Sequence, residues 1–157
     1  MKSQEPSSKE PPPPSKAEIY SAVTISNAFL VDIELKILAE FVNPRIEFGP
    51  YRGEQRNRGY RLSYVGGKAP FFELTRFAYG GSSVIETSEA APTLNDGGIH
   101  TVQWRRYEDG NMVVMLDGKE LLSTMDRANR YAFDGFHVIN HAGDYAVSKI
   151  LIYGTKK

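Results

Sequence analysis

The chain has 157 residues, of which 41% are hydrophobic and 24% are charged, and this balance is typical of one soluble globular domain. It contains no cysteine, so disulfides, thiolate metal sites and a cysteine nucleophile are excluded. Lys+Arg and Asp+Glu number 19 each, and the formal charge of zero argues against a nucleic-acid binder, which normally carries a basic excess.

The first 16 residues form a low-complexity leader with a proline run at 11–14. Segments of this composition bury too little apolar surface to fold, so we expect a disordered leader at 1–16 and a single β-sandwich domain at 17–157. The leader has no apolar signal-peptide region, and no apolar run approaches the ~20 residues of a membrane helix. We interpret it as a linker, of which a tether joining an extracellular or periplasmic domain to a lipid anchor is one instance.

Alternation with a period of two begins at Glu18 and predicts β-strands in the first half of the chain. The segment 29–35 alternates apolar with acidic residues, which places Asp32 and Glu34 together on a solvent-exposed face. A second strand is predicted at 45–48, where the Gly49-Pro50 pair is expected to end it. Further strands are predicted at 59–65, 71–77 and 83–87.

The second half of the chain predicts hairpins. Segments 99–107 and 112–116 flank a polar turn, and Asp117-Gly118 then makes a tight turn of type I′ into 119–123. Strands at 136–140 and 147–153 close the chain, and only 123–131 suggests a turn of helix. About ten short strands at this spacing predict an antiparallel sandwich. The single tryptophan, Trp104, is expected to be buried in its core.

Four segments of the C-terminal half carry a resemblance to a known superfamily: 98–104, 112–120, 133–138 and 147–154. In order, they are a Trp-containing strand, an L-x-D-G-K hairpin and two closing strands. This order resembles that of the concanavalin A-like lectin/glucanase superfamily, including its laminin-G-like and 3-keto-disaccharide-hydrolase-like domains. The resemblance covers most of residues 25–154. It implies an all-β fold, a two-sheet antiparallel jelly-roll sandwich of concanavalin A-like type.

Catalytic carboxylates are the first chemistry to consider on such a fold. Retaining glucanases of this superfamily use an E-x-D-x-E strand, which holds two carboxylates at nucleophile and acid distance. This chain has no such motif, and Asp32 and Glu34 are interpreted as solvated. No catalytic residue is therefore assigned, and the remaining candidates are Glu47, Glu73 and His137.

Arginine and tyrosine are concentrated between residues 45 and 76. Sugars are bound by flat aromatic faces combined with bidentate donors and acceptors, and an arginine-rich face would suit an acidic sugar such as a uronate. The competing interpretation is a salt-bridged, solvated sheet surface. The predicted ligand-binding residues are Arg45, Glu47, Arg58, Tyr60, Arg76 and His137.

No metal site or cofactor is predicted. His137 and His141 lie four residues apart on a predicted strand, a separation of about 13 Å, which is too long for one ion, although a general acid/base role for either remains open. Structural calcium is common in the resembling superfamily, but the candidate aspartates form no calcium motif. They are Asp117, Asp134 and Asp144.

Three functions follow from these observations. The first is an exported carbohydrate-binding module whose partner is a polysaccharide or glycan. The second is a glycoside hydrolase or polysaccharide lyase on the same fold. The third is a laminin-G-like protein-interaction domain. The lining of a groove, and the separation of its carboxylates, would distinguish them.

Overall fold

The computed structural model describes residues 17–39, 44–89 and 94–155, and within these ranges the chain forms ten strands and no helix. The predicted leader lies outside the described residues. No described segment forms a helix of the length and apolar content that a membrane span requires. The strands are β1 Ala17–Ala39, β2 Arg45–Arg52, β3 Arg58–Val65, β4 Phe71–Ala78, β5 Gly81–Thr87, β6 His100–Arg106, β7 Asn111–Leu116, β8 Lys119–Met125, β9 Phe133–Ala142 and β10 Asp144–Thr155.

The strands form two antiparallel layers that share β1. One layer has the order β5-β4-β3-β2-β9-β1 and uses residues 17–25 of β1, which pair with β9. The other has the order β10-β1-β6-β7-β8 and uses the remainder of β1, which pairs with β6 and β10. We call them the six-stranded and the five-stranded sheet. Register shifts between Ile25 and Leu30 mark the place where β1 passes from one to the other.

The core lies between the two sheets and is built from alternate residues of each strand. Val31, Ile33 and Leu35 are buried, whereas the intervening acidic residues face outward, as their alternation predicts. Trp104 is fully buried and meets Phe29 edge to face at 5.3 Å between ring centroids, which confirms its predicted place in the core.

The predicted hairpins of the second half are confirmed. β6 and β7 pair around a turn in which the Gly110 amide donates to the Tyr107 carbonyl at 3.0 Å. Asp117 and Gly118 both have positive φ, 51° and 84°, as a type I′ turn requires. The two-sheet antiparallel fold follows from such local signals.

Two predictions about local structure are wrong. β2 does not end at Gly49-Pro50 but continues to Arg52. Gly49 serves packing instead, because a β-carbon there would overlap the Tyr60 carbonyl oxygen of β3. The turn of helix expected at 123–131 is absent: β8 runs to Met125, and an irregular segment follows in which the buried Asp126 accepts a hydrogen bond from the Ala128 amide at 2.7 Å.

Candidate functional site

A dense polar network covers the outer face of the six-stranded sheet. Strand register places Glu47 of β2 opposite Ser63 of β3 and Ile139 of β9, and Ser63 opposite Glu73 of β4, so these side chains share the face turned away from the core. We call this surface the polar face. Its members are Glu18, Tyr20, Arg45, Glu47, Arg56, Arg61, Ser63, Glu73, His137 and His141.

Glu47 is the centre of the network. Its Oε2 accepts hydrogen bonds from Arg45 Nε at 2.9 Å and from Ser63 Oγ at 3.2 Å. Its Oε1 accepts from Arg61 Nη1 at 3.2 Å and from His141 Nε2 at 3.0 Å. Four donors on three strands therefore converge on one carboxylate, which is only 4% exposed although it lies on the outside of a sheet.

Arg45 extends the network from β2 to β4. Its Nη2 donates to Glu73 Oε1 at 2.9 Å and to Ser63 Oγ at 3.3 Å, while its Nε is held by Glu47. Arginine and carboxylate side chains alternate across three neighbouring strands, and each fixes the orientation of the next. The result is a set of donors and acceptors with little rotational freedom.

A second cluster lies at the edge of the same face, where β1 adjoins β9. Glu18 accepts from His137 Nδ1 at 2.8 Å and from Arg56 at 2.9 Å through Nε and 3.2 Å through Nη2. The Arg56 guanidinium also lies 3.7 Å from the ring centroid of Tyr20. The loop between β2 and β3 is thus attached to the first strand of the domain.

The two clusters are joined through Arg61. Its Nη2 donates to the Arg56 carbonyl at 3.4 Å, and its guanidinium lies 4.1 Å from the ring centroid of Phe77 on β4. A guanidinium over an aromatic ring is attracted to the ring face and can still donate hydrogen bonds, as Arg61 does here.

Two carboxylates of the polar face, Glu18 and Glu47, are held in the charged form. Burial by itself raises the pKa of Glu47, but hydrogen bonds from His141 and Arg45 outweigh that effect and lower its pKa to about 2. The pKa of Glu18 is also lowered to about 2, chiefly by the hydrogen bond from Arg56. Burial lowers the pKa of Arg45, but hydrogen bonds to Glu73 and Glu47 outweigh that effect and raise it. Glu18 and Glu47 are therefore charged at neutral pH.

Two histidines have opposite environments. His137 is buried, and this burial lowers its pKa in spite of the hydrogen bond to Glu18. His100, at the start of β6, binds Asp117 through Nδ1 at 2.7 Å and Asp96 through Nε2 at 2.9 Å. Burial lowers the pKa of His100, but the two carboxylates outweigh it, so the pKa is raised.

We expect the two histidines to titrate on opposite sides of the ordinary value of about 6.5 in a pH series of ¹H–¹³C NMR spectra. Protonated His100 stabilises the fold below that pH, and its contribution is lost as pH rises through its raised pKa. Neutral His137 stabilises the fold above that pH, and its contribution is lost as pH falls below 6.5 and through its lowered pKa. Asp117→Asn should lower the pKa of His100 and leave that of His137 unchanged. A His100 signal that titrates below 6.5 in the wild type would contradict this assignment.

The structure brings together part of the predicted ligand-binding set. Arg45, Glu47 and His137 lie on the polar face, together with the catalytic candidate Glu73. Their ligand-binding or catalytic roles remain predictions.

The expectation that all six residues line one surface is wrong. Tyr60 belongs to the core-facing row of β3 and is fully buried. Arg76 pairs with Tyr60 across β3 and β4 and binds Asp126 at 2.6 Å, away from the polar face. Arg58 lies at the start of β3, where its guanidinium is 4.4 Å from the ring centroid of Tyr79. Side chains alternate between the two faces of a strand, and this alternation places these three on the opposite face of the sheet from Glu47.

Six members of the polar face were not in the predicted set, namely Glu18, Tyr20, Arg56, Arg61, Ser63 and His141. The outward position of Arg61 could have been predicted from the alternation of side chains along β3. Its neighbours Tyr60 and Leu62 are both buried, so Arg61 faces the opposite side of the sheet. Glu18 is separated from His137 by 119 positions, and no local pattern links them.

Metal ligands do not cluster in the described part of the chain: no group of three or more His, Asp or Glu residues there is arranged to hold an ion. Four surface depressions, with volumes from about 280 to 510 Å³, are lined by residues of the five-stranded sheet and of the adjoining turns. None of their lining residues belongs to the polar face.

Comparison with known proteins shows the fold. No protein-family model and no curated protein sequence matches the chain. Carbohydrate-binding module CBM66 from Bacillus subtilis superposes with a TM-score of 0.69 at 14% identity, covering 87% of this chain and 81% of that one. Sheep galectin-11, in complex with glycerol, gives 0.68 at 16%, covering 92% and 100%. Congerin II, liganded with lactose and MES, gives 0.65 at 12%, covering 88% and 100%. This chain therefore has the all-β jelly-roll sandwich fold of these lectin-like domains.

Proposed function

We propose that this chain binds a carbohydrate on its polar face. The observation that carries the proposal is the network around Glu47, in which Arg45, Arg61 and His141 are held in fixed positions on the outer face of the six-stranded sheet. The names of the similar structures support it, since they describe a carbohydrate-binding module, a galectin in complex with glycerol and a congerin liganded with lactose. A place in the concanavalin A-like superfamily and an extracellular location belong to the same proposal.

The chemistry of the network suits a polyhydroxyl ligand. Each sugar hydroxyl both donates and accepts, so it fits best where guanidinium donors and carboxylate acceptors alternate at short range. The polar face has this alternation along Arg61, Glu47, Arg45 and Glu73. Because these side chains already fix one another, a ligand would lose little affinity to the ordering of the site.

The charge balance of the face favours a neutral sugar over a uronate. It carries three guanidinium groups, Arg45, Arg56 and Arg61, and three carboxylates, Glu18, Glu47 and Glu73, and every guanidinium binds at least one of those carboxylates. No cation of the set is left to attract an acidic ligand. The preference for acidic sugars suggested by the arginine count is therefore not part of the proposal.

Binding is favoured over hydrolysis by the state of Glu47. A glycosidase requires a general acid whose pKa is raised toward neutrality. The pKa of Glu47 is lowered to about 2, because His141 and Arg45 outweigh the effect of its burial, and this carboxylate cannot donate a proton at neutral pH. Its geometry suits a fixed acceptor.

The proposal predicts the effect of two substitutions on glycan binding. Glu73→Gln removes a negative acceptor, and Arg45→Met removes the guanidinium that joins β2 to β4. We expect each to weaken binding about tenfold or more, since a hydrogen bond to a charged group contributes about 1.5–3 kcal/mol. A glycan array followed by calorimetric titration of the best neutral ligand measures this.

Arg127→Met is the matched control, because Arg127 is exposed and lies outside the polar face. It should bind as the wild type does. The proposal fails if no neutral or acidic glycan binds to the wild type, or if the two polar-face variants bind as tightly as Arg127→Met.

A further inference from the structure

The outer face of the five-stranded sheet carries a second surface of different character. Strand register aligns Tyr153, Leu30, Arg105 and Val113 in one row across β10, β1, β6 and β7. The neighbouring row consists of Leu151, Asp32, Gln103 and Met115. These eight residues, with Tyr107 at the end of β6, are called the back patch.

The back patch is apolar and open. Tyr107 is 45% exposed, Leu151 38% and Tyr153 52%. Two depressions, of about 410 and 280 Å³, share Leu30, Arg105 and Tyr107 as lining residues. The two rows contain no lysine. Tyrosine, methionine and arginine without lysine are the composition found at the centres of protein interfaces.

Arg105 and Asp32 are the charged residues of the back patch. Within the described part of the chain Arg105 forms no ion pair, and its guanidinium lies only over the Tyr107 ring, at 5.4 Å. The side chain of Asp32, in the neighbouring row, is half-buried, and its buried Oδ1 has no hydrogen-bond partner among the described residues. One cation and one anion in adjacent rows make a surface that is complementary to itself, as contact about a two-fold axis requires.

We propose that the back patch binds a second copy of this chain in a two-fold symmetric dimer. A two-fold axis that lies parallel to the sheet and crosses the line from Arg105 to Asp32 at its midpoint brings Arg105 of each copy to Asp32 of the other. The same contact packs Leu30, Tyr153 and Leu151. The back patch and the polar face lie on opposite sides of the sandwich. The dimer would therefore present two polar faces in opposite directions, each accessible.

A charge exchange tests the pairing. In sedimentation equilibrium of the full chain, we expect a monomer–dimer equilibrium that Arg105→Glu and Asp32→Arg each weaken about tenfold or more, because each places like charges opposite one another. The double variant Arg105→Glu/Asp32→Arg restores opposite charges and should recover dimerisation to within a few-fold. Lys119→Glu, an exposed charge reversal at the β7–β8 turn, is the matched control and should dimerise as the wild type does.

A cross-link keeps the test independent of variants that fold poorly. The chain has no cysteine, so Gln103→Cys introduces a single thiol close to the expected axis. Oxidation should yield a covalent dimer from Gln103→Cys and none from Lys119→Cys. Two results would overturn the proposal. One is a wild type that stays monomeric up to millimolar concentration together with a Gln103→Cys variant that forms no cross-linked dimer. The other is a dimer whose stability Arg105→Glu leaves unchanged. If the chain proves monomeric, the occupant of the back patch would instead be a glycan or another protein.

Discussion

Replacing Glu47 with alanine is expected to lower the free energy of unfolding by about 2–3 kcal/mol. Removing one partner of a buried ion pair typically costs about 3–5 kcal/mol, because the remaining charge loses its compensation. The lower figure applies here since the Arg45 side chain is 31% exposed and water can replace part of the lost interaction. Urea denaturation at pH 7, followed by the fluorescence of the buried Trp104, measures the change.

Glu120→Ala is the control for this experiment, since Glu120 is an exposed glutamate on β8 of the other sheet. It should change stability by less than about 0.5 kcal/mol. If both variants are equally stable, Glu47 does not organise the polar face, and the four donors around it must be satisfied by water as well as by the carboxylate.

The contribution of Glu47 should also depend on pH in a defined direction. Its folded pKa is lowered from 4.5 to about 2, so the folded state binds fewer protons than the unfolded state between those values. The stabilisation is therefore complete above pH 4.5 and disappears as pH falls toward 2. A pKa lowered this far corresponds to at most about 3 kcal/mol at neutral pH. Wild type and Glu47→Gln should differ most above pH 5 and converge near pH 2.

The fold could be predicted because its signals are local. Alternation at Val31, Ile33 and Leu35 identifies a strand and its buried face without knowledge of its neighbours. Asp117-Gly118 identifies a hairpin because few residue pairs accept two positive φ values. The passage of β1 from one sheet to the other has no comparable local signal. The sequence predicts strand on both sides of the register shift between Ile25 and Leu30, and it does not mark the shift itself.

The polar face could be predicted only in part for a related reason. Glu47 and Arg61 are 14 positions apart and meet because β2 and β3 form a hairpin, so parity within each strand suffices to place both outward. The contact of Glu18 with His137 instead requires the first strand of the domain to pair with β9. A concentration of arginines in the sequence cannot show which of them lie on one face. Arg76, for example, lies on the other face of the sheet and binds Asp126.

Gly49→Ala is expected to be the most damaging single-methyl change in the polar face, lowering stability by about 3 kcal/mol or more. Gly49 has an ordinary backbone conformation, so the effect is steric. An added β-carbon would overlap the Tyr60 carbonyl oxygen and lie 3.1 Å from the Arg61 Cα, both on the backbone of β3, where no side chain can rotate away. The strands must separate next to the Arg61–Glu47 ion pair.

Gly98→Ala is the matched control, since Gly98 also lacks a positive φ and its added carbon would meet only the Asp96 side chain, at 3.3 Å. It should change stability by less than about 1 kcal/mol in the same urea titration. A folded Gly49→Ala protein should also lose glycan affinity, because Arg61 would move away from Glu47. Retention of wild-type stability and binding would mean that β2 and β3 lie farther apart than their register implies.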